Sequence, residues 1–156
     1  MKFMSPSRGK LTFNEMFKDI LKFMEGKPDH RFKLIIGTDS QTNSYSCFVT
    51  ALVIHQVGKG ARYYYNKRNQ HKISSLRQRI FYETSMSLET AGRVTKKLSQ
   101  TGHENLNVEI HIDIGLKGET RDLIKEIVGM VVGSGFDAKI KPDSCGASKV
   151  ADKHTK

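Results

Sequence analysis

Apolar residues along this chain recur in two different periods, and the changes between these periods predict the order of its helices and strands. Over residues 12–25 the apolar positions return at helical spacing. Thr12 and Glu15 match a capping box, a pattern that begins helices, and Gly26 follows the last apolar position. We therefore expect a first helix over residues 12–25, preceded by a loose basic leader over residues 1–11.

Three strand-like runs follow the first helix, over residues 32–39, 45–55 and 61–66. The middle run is apolar at odd and even positions alike, which is typical of a strand that is buried on both faces. The connections between the runs are short, and short connections join antiparallel neighbours. We expect the three runs to form an antiparallel meander.

The second half of the chain alternates helices with strands. The pattern predicts a helix over residues 75–100, a strand over 108–114, a helix over 119–132, a strand over 136–141 and a last helix beginning near Ala147. Strands that are joined through helices run parallel. The prediction is therefore an α/β fold with a mixed five-stranded sheet, three strands antiparallel and two parallel, flanked by helices and with an extra N-terminal helix.

The length of 156 residues is that of one domain, and we expect a single domain over residues 1–156. Within it, residues 1–30 would be the leader and the first helix, and residues 31–156 the core of the fold. The two cysteines, Cys47 and Cys145, are too few for a disulfide framework or a cysteine zinc site. The sequence contains neither a secretory leader nor an apolar run of membrane length, so we expect a cytoplasmic protein with no membrane partner.

The charge of the chain favours a polyanionic partner. Lys and Arg number 26 against 16 Asp and Glu, which gives a net charge of +10 and a pI near 9.7. Such a balance supports sequence-independent attraction to nucleic acid. One stretch also interleaves aromatic and cationic residues: Tyr63, Tyr64, Tyr65, Lys67, Arg68, His71, Lys72, Arg77 and Arg79. This pattern is typical of single-strand binders, and equally of a strand followed by a solvated basic turn.

Two aspartates lie where apolar runs end. Asp39 follows the run over residues 32–36, and Asp113 stands in the run over residues 108–114. If the two strands are parallel neighbours, their carboxyl ends bring both acids to one edge of the sheet, where ligands of α/β folds bind. At a separation of about 4 Å the two charges would repel by about 4 kcal/mol at an effective dielectric constant near 20. Either one acid is protonated, or a cation lies between them.

Two further acids are candidates for the same site. At about 100° per residue, Glu83 falls near the apolar stripe of the long helix, whereas Glu89 falls opposite it. Asp152 lies in the last helix, and Asp143, just before that helix, is an alternative to it. Oxygen ligands in this number suit Mg²⁺ or Mn²⁺. Two such ions about 4 Å apart would activate a water molecule and stabilise the leaving oxygen in a displacement at phosphorus.

The element order and the positions of these acids resemble those of the ribonuclease-H-like superfamily. Three motifs are similar, more closely, to the YkuK-like family of bacterial proteins, which are predicted to be ribonuclease-H-related nucleases. The motifs are Ile36-Gly37-Thr38-Asp39-Ser40-Gln41, His111-Ile112-Asp113 and Ala151-Asp152-Lys153-His154. The similarity covers nearly the whole chain. It implies two-metal chemistry at a phosphodiester, with these residues as catalytic groups and metal ligands: Asp39, Glu83, Asp113 and Asp152.

The resulting hypothesis is a divalent-metal-dependent nuclease with nucleic acid as its partner. One rival is a non-catalytic nucleic-acid-binding protein that keeps the fold. Another is nucleotide hydrolysis in the manner of the actin-like ATPases, which the lack of a glycine-rich phosphate loop disfavours. His111 and His154, close to two of the acids, could carry protons or neighbour a metal, or could be ordinary packed histidines.

Overall fold

In the computed structural model, which describes residues 1–27, 31–143 and 147–155, seven strands form one mixed sheet. The strands are β1 (Lys2–Ser5), β2 (Gly9–Thr12), β3 (Phe32–Thr42), β4 (Ser46–Gln56), β5 (Gly60–Gln70), β6 (Asn107–His111) and β7 (Asp137–Lys139). Their order across the sheet is β2, β1, β5, β4, β3, β6, β7. β3, β4 and β5 form the antiparallel meander, and β6 and β7 run parallel to β3. The predicted mixed α/β fold, with three antiparallel and two parallel strands, is confirmed.

Helices cover both faces of the sheet. They are α1 (Phe13–Met24), α2 (Leu76–Gln100), α3 (Ile124–Gly133) and α4 (Ala147–Thr155), and a 3₁₀ turn (Glu119–Leu123) leads into α3. Both bonds of the predicted capping box at Thr12 and Glu15 are present. α1, α2 and α3 bury their apolar faces in one large core, whereas α4 packs on the opposite face through a smaller cluster. Among the described residues no helix is both long enough and apolar enough to cross a membrane.

The prediction of a loose leader over residues 1–11 is wrong. β1 and β2 form an antiparallel hairpin, and β1 extends the meander by pairing with β5. Phe3 is fully buried and its ring lies 6.3 Å from that of Phe13. Each of these short strands contributes only one buried apolar side chain, Phe3 or Leu11, so the sequence pattern was too short to predict a strand. The hairpin accounts for the two strands beyond the predicted five.

β3 and β5 are longer than predicted, β4 has the predicted length but lies one residue later, and β6 is shorter. β3, β4 and β5 each run for 11 residues, whereas β6 ends at His111 rather than at residue 114. The last residue of β3 that pairs with β6 is Gly37. Beyond Gly37, β3 extends past the end of β6 and remains paired with β4. Cys47 is a buried free thiol on β4, and Cys145 lies outside the described residues.

Candidate functional site

Asp39 lies in the part of β3 that extends beyond the end of β6. It is half-buried and stands directly opposite Val49 of β4. The parallel partner has already ended, because Gly37 is the last residue of β3 to face β6. The backbone at Asp39 is therefore paired with β4 on one side and is not paired with β6 on the other.

Close packing of α4 on the sheet brings Asp152 to Asp39. A Cβ atom at Gly37 would lie 3.0 Å from the Cβ atom of Ala147, so the helix and β3 approach more closely there than a side chain allows. Ala147 and Ala151 are fully buried against the sheet. Asp152 follows directly, and its carboxyl group is close enough to raise the pKa of Asp39.

This environment changes the acidity of Asp39. Burial raises the pKa of Asp39 to about 7, and the hydrogen bond and charge of Asp152 act in the same direction. The charge of Asp113 raises the pKa further, whereas a backbone hydrogen bond at Ser40 opposes the shift. A shift of this sign marks a carboxylate whose charge is not compensated by its surroundings. A bound cation would supply that compensation.

Glu83 reaches the same region from α2. Ser40, the residue after Asp39, donates its hydroxyl to Oε2 of Glu83 at 2.5 Å. Burial raises the pKa of Glu83 to about 8. The hydrogen bond from Ser40 opposes this shift, and the charges of Asp39 and Asp113 add to it. The glutamate is therefore oriented by β3 and interacts with two of the other acids.

Hydroxyl groups hold α2 against β3 beside Glu83. Thr38 contacts Ser87 of α2 at 2.8 Å and Thr50 of β4 at 3.0 Å, and all three side chains are buried. These bonds satisfy polar atoms that would otherwise be costly to bury. They fix the rotation of α2, and with it the direction of the neighbouring glutamate.

The two alternative acids lie elsewhere. Glu89 is exposed on α2, on the side of the helix that turns away from the sheet, as its helical angle predicted. Asp143 is exposed in the turn after β7. Of the described acids, those that interact electrostatically with Asp39 or Glu83 are Asp113 and Asp152.

Asp113 forms the outer part of the cluster. It lies two residues beyond the end of β6, and its side chain is 42% exposed. Lys141 places its Nζ 2.9 Å from Oδ1 of Asp113. The stem of the lysine packs on Gly115, where a Cβ atom would lie 3.1 Å from that of Lys141. One acid of the cluster thus has a cationic partner, which the sequence pattern did not reveal.

Both histidines near the acids are engaged in packing. His111 is buried and its Nε2 lies 3.1 Å from Oε1 of Glu109. Burial lowers the pKa of His111, and the hydrogen bond and charge of Glu109 oppose this effect. His154 stacks on Tyr65 with ring centroids 3.8 Å apart, and its Nε2 lies 3.2 Å from the hydroxyl of Tyr63. The latter contacts attach the end of α4 to β5.

The aromatic and basic stretch that begins in β5 contains both packed rings and exposed basic side chains. Tyr64 points into the large core, is fully buried and donates its hydroxyl to Asp19. Tyr63 and Tyr65 point to the other face and pack on His154. These three rings are therefore structural, whereas these basic residues of the stretch are exposed on the surface: Lys67, His71, Lys72 and Arg77.

Comparison with known proteins identifies the family. The model of the family described as Ribonuclease H-like matches residues 15–156, a segment that contains all four acids. The chain belongs to the ribonuclease-H-like family. It is also 39% identical over 166 aligned positions to "Uncharacterized protein YkuK" of Bacillus subtilis (strain 168), a match covering 99% of this chain and 96% of that protein. No solved structure matched the chain. The resemblance to YkuK-like, ribonuclease-H-like proteins is confirmed.

Membership of the ribonuclease-H-like family suggests a role connected with nucleic acid, and this fold is often metal-dependent. Within the described parts of the chain, no three His, Cys, Asp or Glu side chains form a ready group of metal ligands. The donors nevertheless fit a hard divalent cation, because they are all carboxylate oxygens and because Asp152 and Asp113 both raise the pKa of Asp39. Mg²⁺ needs few protein ligands, since water and substrate oxygens complete its shell.

Sequence reasoning missed three residues that shape this cluster of acids. Ser40 orients Glu83, Thr38 fixes α2, and Lys141 neutralises Asp113. Ser40 and Thr38 flank Asp39 in the sequence, so polar residues on both sides of a strand acid were an available signal. Lys141 carried no such signal, because its contact depends on how the turn after β7 folds back.

Proposed function

We propose that this protein is a divalent-metal-dependent nuclease that hydrolyses phosphodiester bonds of nucleic acid. The observation that carries the proposal is the meeting of acids at Asp39, where burial and the neighbouring Asp152 raise the pKa to about 7. Strained clusters of acids are common at catalytic sites. The family membership and the net charge of +10 support nucleic acid as the substrate.

In this proposal Asp39, Glu83, Asp113 and Asp152 hold Mg²⁺ or Mn²⁺. The ions, when bound, activate the attacking water and stabilise the leaving oxygen. Asp39, whose pKa is raised, would give up its proton when an ion binds, because a ligand carboxylate must be ionised. Ser40 keeps the carboxylate of Glu83 directed at the cluster through its 2.5 Å hydrogen bond.

Incubation with labelled single-stranded, duplex and hybrid nucleic acids in the presence of Mn²⁺ tests the proposal. We expect cleavage of at least one substrate, and loss of cleavage in Asp39→Asn. Glu89→Gln is the matched control, because this exposed acid lies on the same helix as Glu83 but outside the cluster. Cleavage of none of the substrates, or equal cleavage by Asp39→Asn, would contradict the proposal.

The alternative function is non-catalytic binding of nucleic acid by the same fold. It is favoured by the ion pair of Lys141 and Asp113, because a lysine already neutralises one acid of the cluster. Salt-sensitive binding without cleavage in Mn²⁺ would support this alternative.

A further inference from the structure

A groove of about 490 Å³ lies between the end of β5 and the first turns of α2. We call it the α2 groove; its lining includes Gln70, His71, Arg77, Gln78, Phe81 and Tyr82. A second groove of about 470 Å³ adjoins it through Gln70 and His71 and continues to Tyr45 and Lys72. The volume of the α2 groove is in the range of small-ligand sites.

Exposed aromatic rings mark these two grooves. Among all Phe and Tyr side chains that the structure describes, only Tyr82 (43%) and Tyr45 (51%) are exposed rather than buried or half-buried. Tyr82 lines the α2 groove and Tyr45 the adjoining one. The ring of Tyr82 is supported from behind by Phe48, with centroids 5.6 Å apart. A supported but exposed ring is a platform on which a planar group can stack.

The polar lining of the grooves suits nucleic acid. Gln70 and Gln78 offer amide donors and acceptors of the kind that bind base edges. Arg77 and Lys72 supply positive charge, and no Asp or Glu is among the described lining residues of either groove. Arg77 pairs with Glu126 at 2.9 Å, but both side chains are more than half exposed. Such a pair contributes little and can be exchanged for a phosphate.

The α2 groove lies next to the acid cluster. Tyr82 immediately precedes Glu83, and Phe48, which supports Tyr82, is paired across the sheet with Ser40. Ser40 in turn holds Glu83. The similarly sized groove at the C-terminus of α1 lies at the opposite edge of the sheet, where β3 begins, and its lining includes Glu25. The α2 groove is thus the one that a strand leaving the acid cluster would reach.

We propose that the α2 groove binds an unpaired base of single-stranded nucleic acid, stacked on Tyr82, beside the phosphate that the acid cluster cleaves. The position of that phosphate rests on the proposed nuclease function, whereas the base site is inferred from the lining of the groove alone. A duplex keeps its bases paired and stacked, so it cannot offer one to Tyr82 without unpairing. The proposal therefore names single strands as the preferred ligand.

Fluorescence anisotropy in EDTA tests this preference without depending on cleavage. The probes are a labelled DNA strand, an RNA strand of the same sequence, the corresponding duplex, and an abasic strand of the same length. We expect both single strands to bind more tightly than the duplex and the abasic strand. Tyr82→Ala should weaken binding of the single strands about 5- to 150-fold, the range for loss of one stacked base, and leave the abasic strand unaffected.

Two variants serve as controls. Tyr82→Phe keeps the ring and should bind as the wild type does, which separates stacking from any effect on folding. Lys96→Ala removes an exposed cation from α2 roughly 30 Å along the helix from Arg77 and should also leave the preference unchanged. Equal binding of duplex and single strand, or wild-type affinity in Tyr82→Ala, would overturn the proposal. Cleavage that persists with either of those results would leave the nuclease function intact.

Discussion

At the scale of single residues, the uncompensated charge at Asp39 links stability, pH and cation binding. The pKa values of Asp39 and Glu83 rise from 3.8 to about 7 and from 4.5 to about 8 on folding. Between the unfolded and folded values, the folded protein binds more protons than the unfolded chain. The contribution of these two carboxyl groups to the free energy of unfolding is therefore fully present below about pH 4. This contribution is lost as the pH rises through the folded pKa values of about 7 and 8.

Asp39→Asn should stabilise the metal-free protein at pH 8 and change its stability much less at pH 4.5. At pH 8 the substitution removes a buried charge, which is worth up to about 4 kcal/mol for a pKa shift from 3.8 to about 7. Chemical denaturation in EDTA at the two pH values measures the difference, with Glu89→Gln as the control on the exposed side of α2. A variant that is less stable than the wild type at pH 8 would contradict this reading of the cluster.

Lys141→Ala should tighten the binding of Mn²⁺ several-fold. Lys141 is a cation that competes for Asp113, and removing it frees that carboxylate for a divalent ion. The free energy of unfolding should change by less than about 1 kcal/mol, because both partners are largely exposed. Calorimetric titration of both proteins with Mn²⁺ measures the effect; weaker binding by the variant would show that Lys141 supports the site.

At the scale of elements, the site depends on how closely α4 lies on β3. Gly37, Ala147 and Ala151 make that approach by their small size, and the acid at position 152 meets the acid at position 39 as a result. The small residues are as important to the cluster as the carboxylates themselves.

Gly37→Ala should therefore impair both stability and activity. The added methyl would meet the Cβ atom of Ala147 at 3.0 Å and push α4 outward, at a cost of roughly 1–3 kcal/mol. Displacement of α4 separates Asp152 from Asp39, so any Mn²⁺-dependent cleavage should fall further than the loss of folded protein explains. Gly92→Ala is the control, because nothing lies within 4 Å of a Cβ atom there, and alanine favours the helix. Equal effects of the two substitutions would refute the packing argument.

The order and direction of the central elements could be predicted from sequence because each carried a long, regular signal. The capping box at Thr12 began α1 as expected, and helical angle alone placed Glu83 towards the sheet and Glu89 away from it. The hairpin of β1 and β2 escaped prediction because Phe3 and Leu11 acquire their burial only through packing against distant residues. For the same reason, the exposed ring of Tyr82 could not be told from the buried ring of Tyr64.

At the scale of the whole molecule, a chain with a net charge of +10 concentrates acids at one edge of its sheet. Basic side chains attract a polyanion, while the acid cluster would repel it unless a cation is present. The two features are compatible when a divalent ion mediates between carboxylate and phosphate. The grooves beside α2 add a path for a single strand next to that edge.

Whether the acid cluster binds a divalent cation can be tested by a crystal structure of the protein with Mn²⁺, in which the anomalous scattering of manganese locates the ion. We predict a manganese peak bound by Asp39 together with at least one of Glu83, Asp113 and Asp152, and no such peak in Asp39→Asn. Manganese bound only at other surface acids, or a wild-type cluster that stays free of metal at millimolar Mn²⁺, would show that the cluster is not a metal site.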